Sequence, residues 1–282
     1  MISASRPFAG SVVLALGCGW MLLGGCAAPE ERADRIASAF GYQKETIAGA
    51  PFHHVIYRNS AHTPADVLHV YIEGDGSPFK HRTRVSADPT SRDPLMLRLM
   101  SEDAAPSMYL GRPCYLGLSA ERGCNPDEWT SRRFAPEVLD SMESVLRAQI
   151  ARYGASHVEL YGHSGGGTLA VLLAQRVDEV TRVVTIGPTL DIAAWCELHR
   201  YSPLLGSVNP IDAGPTRVGL QVLHLVGERD TNTPPALVQA AARARGGETV
   251  RVTAGSDHNC CWGGVWHDIL DKAGAPHAPP IG

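Results

Sequence analysis

The sequence predicts an α/β fold with one mostly parallel central sheet of about eight strands and helices on both faces. Three observations lead there. The chain has 282 residues, 44% of them apolar, which suffices for one large domain with a substantial core. Short runs that read as strands alternate with amphipathic runs that read as helices, the pattern of strand–helix–strand units. The first two strand-like runs lie too close together for a crossover helix, so they are expected to form an antiparallel hairpin at one edge.

Strands are expected at Gln43–Ile47, His54–Tyr57, Val67–Ile72, Met108–Leu110, His157–Tyr161, Arg182–Ile186, Gln221–Val226 and Thr249–Val252. Pro136 opens a helix at a position that needs no backbone donor. Val138, Leu139, Met142, Val145, Leu146 and Ile150 then fall on one helical face. Thr168–Gln175, Pro235–Arg245 and Val265–Lys272 read the same way. The stretches 77–105 and 188–216 fit no element and are expected to be loops or a small lid over a site. Residues 40–272 make the domain, and 273–282 form an Ala/Pro/Gly tail.

The first 25 residues lie apart from this fold. Arg6 is their only charged side chain, Val12 to Leu23 is apolar, and small residues follow. That order is the order of a secretory signal, and the apolar run is shorter than the roughly 20 residues a spanning helix needs. Leu23-Gly24-Gly25-Cys26 resembles a bacterial lipobox. The resemblance implies cleavage before Cys26 and lipid on its thiol and amine, with membrane attachment as the result. Ala27, in place of aspartate, points to the outer membrane. Residues 26–39 then read as a tether.

An exported chain meets an oxidising compartment. Cys18 leaves with the signal and Cys26 carries lipid. Cys114, Cys124, Cys196, Cys260 and Cys261 remain, an odd number. Cys114 and Cys124 bracket a short loop and are expected to pair. Cys196 with Cys260 or Cys261 is a second, weaker pairing, and one thiol stays free. The net charge of −4 and the absence of a long Lys/Arg run exclude a nucleic-acid partner.

The chemistry centres on Val158-Glu159-Leu160-Tyr161-Gly162-His163-Ser164-Gly165-Gly166-Gly167. A G-x-S-x-G between a strand-like and a helix-like run puts the serine on a tight turn, its hydroxyl exposed above the sheet at a helix N-terminus. The five-residue pattern alone is short enough to arise by chance, and the two flanks give it weight. Serine needs a base, and the base needs an orienting acid. Asp230 ends a strand-like Leu220–Val226 run and a glycine turn, and is the expected acid. Asp191 is its rival and Asp212 a weaker one. His258 follows the last strand and is the expected base. His224 and His267 read as packing and helix positions, His163 as elbow packing, and the remaining histidines precede the serine. Oxyanion donors are expected from the amides of Gly165 and Asp75, with Gly76 as second choice to Asp75.

Together these residues resemble the α/β-hydrolase superfamily. The strand 67–72 with Gly74-Asp75-Gly76, the elbow at 162–166, then Asp230 and His258 stand in the superfamily's order. More narrowly, Gly111-Arg112-Pro113-Cys114-Tyr115, Trp129–Phe134 and His258-Asn259-Cys260-Cys261-Trp262 resemble a group of bacterial envelope hydrolases. Many superfamily members carry His-Gly after the third strand, and Glu73-Gly74 stands here. The resemblance implies a serine hydrolase acting on a small-molecule ester or related acyl bond, with peptide hydrolysis or ligand binding without catalysis as rivals. No cofactor and no metal are called for, since Cys260-Cys261 beside His258 lacks zinc-site spacing. Arg112 is expected either to receive an anionic group or to brace the 114–124 loop, and Trp195 and Trp262 either to line a pocket or to pack.

Overall fold

The computed structural model describes Met1 and residues 28–59, 64–81 and 83–271. Eight strands make one sheet: β1 (Gln43–Ala48), β2 (His53–Arg58), β3 (Val67–Ile72), β4 (Ser107–Leu110), β5 (His157–His163), β6 (Val180–Ile186), β7 (Gln221–Gly227) and β8 (Thr249–Thr253). Their order across the sheet is β1-β2-β4-β3-β5-β6-β7-β8. β2 pairs antiparallel with both β1 and β4, and every other pairing is parallel. All eight strands stand where alternating runs placed them.

Parallel strands buried on both faces read as continuous apolar runs rather than alternating ones. β5 and β6 are of this kind, with Val158, Leu160, Tyr161, Val183, Val184 and Ile186 nearly or fully buried. Helices α3 (Pro136–Tyr153), α4 (Gly165–Ala174), α5 (Ile192–His199), α6 (Pro235–Ala244) and α7 (Gly263–Leu270) join the strands or follow the last of them. α3 opens on Pro136 and closes on Gly154 in the left-handed conformation, at φ 63°.

The sheet order matters for the site. β3 is flanked by β4 on one side and by β5 on the other. Connections leaving the C-terminal ends of β3 and β5 therefore diverge, and the gap between them is where open α/β sheets hold ligands.

Two expectations need correction. Residues 26–39 read as a tether, but Pro29–Ala39 is helix α1, seated on the domain. Ala33 and Ala37 are buried, and the Tyr57 hydroxyl donates to Asp34 at 2.6 Å. Small residues one turn apart let this helix sit close to its support. The stretches 77–105 and 188–216, which fit no element, contain a two-stranded ribbon (Phe79–Lys80 with Arg84–Val85), helix α2 (Leu95–Leu99), helix α5 and short 3₁₀ turns. Met96 and Leu97 of α2 are fully buried, so part of the first stretch is core.

Cys114 and Cys124 form a disulfide with an S–S distance of 2.07 Å. Cys196 does not pair with Cys260 or Cys261. It is buried and free, while Cys260 and Cys261 are bonded to each other. The leader, Cys26 and the tail from 272 onward lie outside the described residues, and among the described residues no helix is long and apolar enough to cross a membrane.

Replacing both Cys114 and Cys124 by alanine is expected to lower the unfolding free energy by about 2–3 kcal/mol, the loop-entropy value for a cross-link of this span. Urea unfolding of the double variant checks it.

Candidate functional site

Ser164 sits at the junction of β5 and α4 with φ 51° and ψ −122°, a conformation that carries a steric cost for any residue with a Cβ. The surrounding backbone leaves it little alternative. A Cβ on Gly162 would overlap the Gly166 carbonyl and lie 2.6 Å from the Gly167 nitrogen. A Cβ on Gly166 would overlap the Ile72 carbonyl and lie 2.5 Å from that of Glu73. β3, β5 and α4 are thus pressed together at two points that only glycine fits. The Ser164 amide donates to Ile186 O at 2.8 Å, and its carbonyl accepts from Thr168 N at 3.1 Å.

The loops after β7 and β8 bring up Asp230 and His258. His258 Nε2 lies 3.0 Å from Ser164 Oγ, and Nδ1 lies 2.8 Å from Asp230 Oδ2. Asp230 also accepts from Asn232 N at 2.8 Å, Thr233 N at 2.8 Å and Thr233 Oγ1 at 3.0 Å. Burial works against its charge, but the contacts with His258 and Thr233 outweigh burial and hold its carboxyl below the ordinary range. An ionised carboxylate only accepts, so Nδ1 carries the ring proton and Nε2 is left free to accept from Ser164. The Asn232 side-chain nitrogen lies 2.9 Å from Nε2 as well. Gly187, at φ +54°, clears the space for this pair, because a Cβ there would lie 2.9 Å from both Asp230 Oδ2 and His258 Nδ1.

The other acids and histidines go elsewhere. Asp191 caps α5 by accepting from Ala194 N at 3.1 Å, and Asp212 sits exposed in a 3₁₀ turn. His224 is buried in β7 between Thr185 and Glu248. His163 places Nε2 2.9 Å from the His258 carbonyl oxygen and so steadies the loop that carries His258. His267 is exposed on α7.

The loop after β3 takes a form that sequence reasoning did not foresee. Glu73, where superfamily members often carry histidine, turns its carboxylate to the amides of Gly74 at 3.1 Å and Met96 at 2.9 Å. Its charge serves the first turn of α2. The Asp75 side chain bonds Arg112, and it accepts from Arg133 Nη1 at 2.6 Å. Arg112 is sandwiched by the rings of Tyr115 and Phe134, at 4.9 and 5.5 Å, so it braces the loop and is not free for an anionic group. Burial penalises the Asp75 charge, and Arg133 and Arg112 more than offset it, bringing its carboxyl to about 2. The clamp fixes Asp75 against the elbow, where a Cβ on Gly165 would lie 2.6 Å from the Asp75 carboxyl carbon. Among the described residues, the Asp75 amide has no protein acceptor.

These groups open into a cavity of about 840 Å³ that includes Ser164, His258, Arg133, Trp195, Tyr201 and Asn232 in its wall. Trp195 lines it, while Trp262 is buried and packs. A second cavity of about 630 Å³ lies at the opposite ends of β7 and β8 and is lined by no serine, cysteine or histidine.

The chain has the α/β-hydrolase fold. It is similar to an esterase from Pyrococcus furiosus, with a TM-score of 0.60 and 11% identity over 89% of this chain and 93% of that one. It is similar to a putative lipase from Acinetobacter baumannii, with a TM-score of 0.57 and 9% identity over 88% and 94%. An α/β serine hydrolase homologue from Coxiella burnetii gives a TM-score of 0.54 and 12% identity over 81% and 94%. No protein-family model and no curated protein sequence matches the chain.

Asn232, Thr233 and Arg133 were given no site role from sequence, and Glu73 was noted only as a departure from the His-Gly of many superfamily members. Asp230-Thr231-Asn232-Thr233 did carry a signal, since an aspartate followed by small polar residues before a proline commonly folds its side chain onto the next amides.

Two outcomes follow from this geometry. Gly162→Ala or Gly166→Ala forces backbone apart and is expected to cost about 3 kcal/mol or more of stability, read by thermal unfolding. Asp75 is held below its unfolded value, so its stabilisation is present at neutral pH and is lost on acidification. The stability gap between wild type and Asp75→Asn, about 2 kcal/mol near neutrality, is expected to shrink as pH falls from about 4 toward 2. Urea unfolding across that range reads it, and a gap that widens on acidification contradicts it.

Proposed function

We propose that the protein is an exported serine hydrolase that cleaves a carboxylic ester or related acyl bond through an acyl-enzyme. The observation that carries the reading is the run of contacts from Ser164 Oγ to His258 Nε2 at 3.0 Å and from His258 Nδ1 to Asp230 Oδ2 at 2.8 Å, inside a cavity. Ser164 Oγ attacks the acyl carbon while His258 Nε2 takes its proton. The amides of Gly165 and Asp75 receive the developing oxyanion. His258 then gives the proton to the leaving alcohol as the acyl–oxygen bond breaks. Water, deprotonated by the same nitrogen, attacks the acyl-serine and releases the acid. Asp230 keeps Nδ1 protonated and stabilises the imidazolium formed in each half-reaction.

The leader over 1–25 and lipid on Cys26 enter this reading from sequence alone. They place the enzyme at the bacterial envelope, in the outer membrane. Ester cleavage is preferred to peptide cleavage because no large module gates the cavity among the described residues, and mixed apolar and polar walls suit an acyl chain with a polar leaving group.

A fluorophosphonate probe is expected to label the purified protein once per chain, and Ser164→Ala is expected to abolish labelling. Asp230→Asn should lower kcat on p-nitrophenyl esters by up to about 10⁴-fold with the fold intact. If a folded sample neither reacts with the probe nor turns over a graded ester panel, the catalytic reading gives way to a ligand-binding role. Turnover of aminoacyl peptides but not esters would replace the esterase with a peptidase.

A further inference from the structure

The active-site mouth and the first turn of helix α1 occupy the same end of the molecule, and the rim of the mouth carries exposed apolar and basic side chains. Phe79 from the ribbon and Arg200, Tyr201 and Leu204 from the segment after α5 line the cavity. Beside them stand large apolar side chains turned to solvent. Leu205 is 74% exposed, Leu198 52%, Tyr201 46% and Phe79 42%, with Val85 on the partner strand of the ribbon also exposed. Single exposed apolar residues need no explanation, but a group gathered around one opening does.

The charge at this rim runs against that of the whole chain. The protein carries a net −4, yet residues 77–87 contain no aspartate or glutamate. Lys80 and Arg84 are exposed in the ribbon, Arg200 is exposed across the opening, and none of the three has an ion pair among the described residues. The acids in the cavity wall are all engaged. Asp75 holds Arg112 and Arg133, Glu73 holds two amides, and Asp93 accepts from Arg98 Nε at 3.0 Å.

The N-terminus points the same way. Helix α1 begins at Pro29, and the Glu30 side chain reaches the 114–124 loop, within 3.6 Å of where a Cβ on Gly117 would stand. Burial and the neighbouring Asp88 carboxylate raise the Glu30 pKa, which places its first turn beside Asp88. The next residue, Pro89, accepts from the Ser77 amide at 2.8 Å, in the loop that follows Asp75. Only two residues, Ala27 and Ala28, separate Cys26 from Pro29, a span of at most about 11 Å. Lipid on Cys26 would therefore hold this end of the domain at the bilayer.

We propose that the cavity mouth docks on an anionic phospholipid surface, with Leu198, Tyr201, Leu205, Phe79 and Val85 entering the interface and Lys80, Arg84 and Arg200 meeting headgroup phosphates. The proposal rests on the esterase reading and deepens it: the substrate is an acyl ester that partitions into a membrane and enters the cavity from it. Aromatic and aliphatic side chains flanked by basic ones are the composition that binds such interfaces.

The test uses the full-length, lipid-modified chain reconstituted in phosphatidylcholine vesicles with and without phosphatidylglycerol. An environment-sensitive fluorophore is placed on Leu205→Cys, or on Val218→Cys, which is fully exposed before the start of β7 at the far end of the sheet. The expected result is a blue shift and quenching by spin-labelled lipid at position 205 only, strengthened by phosphatidylglycerol. In the second arm, Lys80→Glu with Arg84→Glu should slow hydrolysis of a vesicle-embedded ester about 25-fold or more, at roughly fivefold for each of the two basic groups, while turnover of soluble p-nitrophenyl acetate is unchanged. Equal signals at 205 and 218, no response to anionic lipid, equal effects on both substrates, or a mature chain without lipid on Cys26 would each overturn it. Failure of p-nitrophenyl acetate turnover in the parent protein would instead overturn the esterase reading on which it rests.

Discussion

Two backbone contacts hold the site together. At Gly162 and Gly166 the end of β5, the start of α4 and the end of β3 approach so closely that a single methyl group on either glycine would collide with a carbonyl. Packing at this density turns a chemical requirement into a geometric one. The Ser164 backbone must turn through positive φ, which puts the serine at the N-terminus of α4, beyond the end of β5. The strain is stored locally and is sustained by the fully buried sheet on either side, where β3, β5 and β6 pair in parallel register.

A second constraint acts through charge. The loop after β3 lies beside Ser164, and a loop alone would not be held still. Glu73 and Asp75 hold it by opposite means. Glu73 is spent on backbone amides, whereas Asp75 is pinned between two buried guanidinium groups, of which that of Arg112 lies over the rings of Tyr115 and Phe134. Burying one carboxylate with two arginines is tolerable because both donate to it, Arg112 also stacks on aromatic rings and Arg133 also donates to the Thr130 carbonyl. The arrangement couples the elbow to the 114–124 loop, which the Cys114–Cys124 disulfide closes.

Much of this was legible in the chain. Strands β1 to β8 are short β-branched and aromatic runs bounded by glycine, proline or polar turns, and such runs have few other readings. The positions of Ser164, Asp230 and His258 could be read because each follows a strand, and strand ends converge in a parallel sheet. Helix α1 was missed because its small, charged sequence has the composition of a tether, and only its fit against the domain makes it a helix. The pairing of Cys260 with Cys261 was missed because adjacent cysteines seldom bond, and loop-closure reasoning does not apply to neighbours. The Asp75 clamp was hidden for a different reason. Arg112 and Arg133 lie 37 and 58 residues away, and nothing in local spacing announces that they meet.

The account turns on a covalent intermediate at one oxygen. Rapid acid quenching of the protein during turnover of a p-nitrophenyl ester, followed by peptide mass mapping, observes it directly. The predicted result is a burst of nitrophenol close to one per chain, with the acyl group on the peptide that contains Ser164 and on that residue. Sustained turnover with no acyl peptide, or with the acyl group on another side chain, would contradict it.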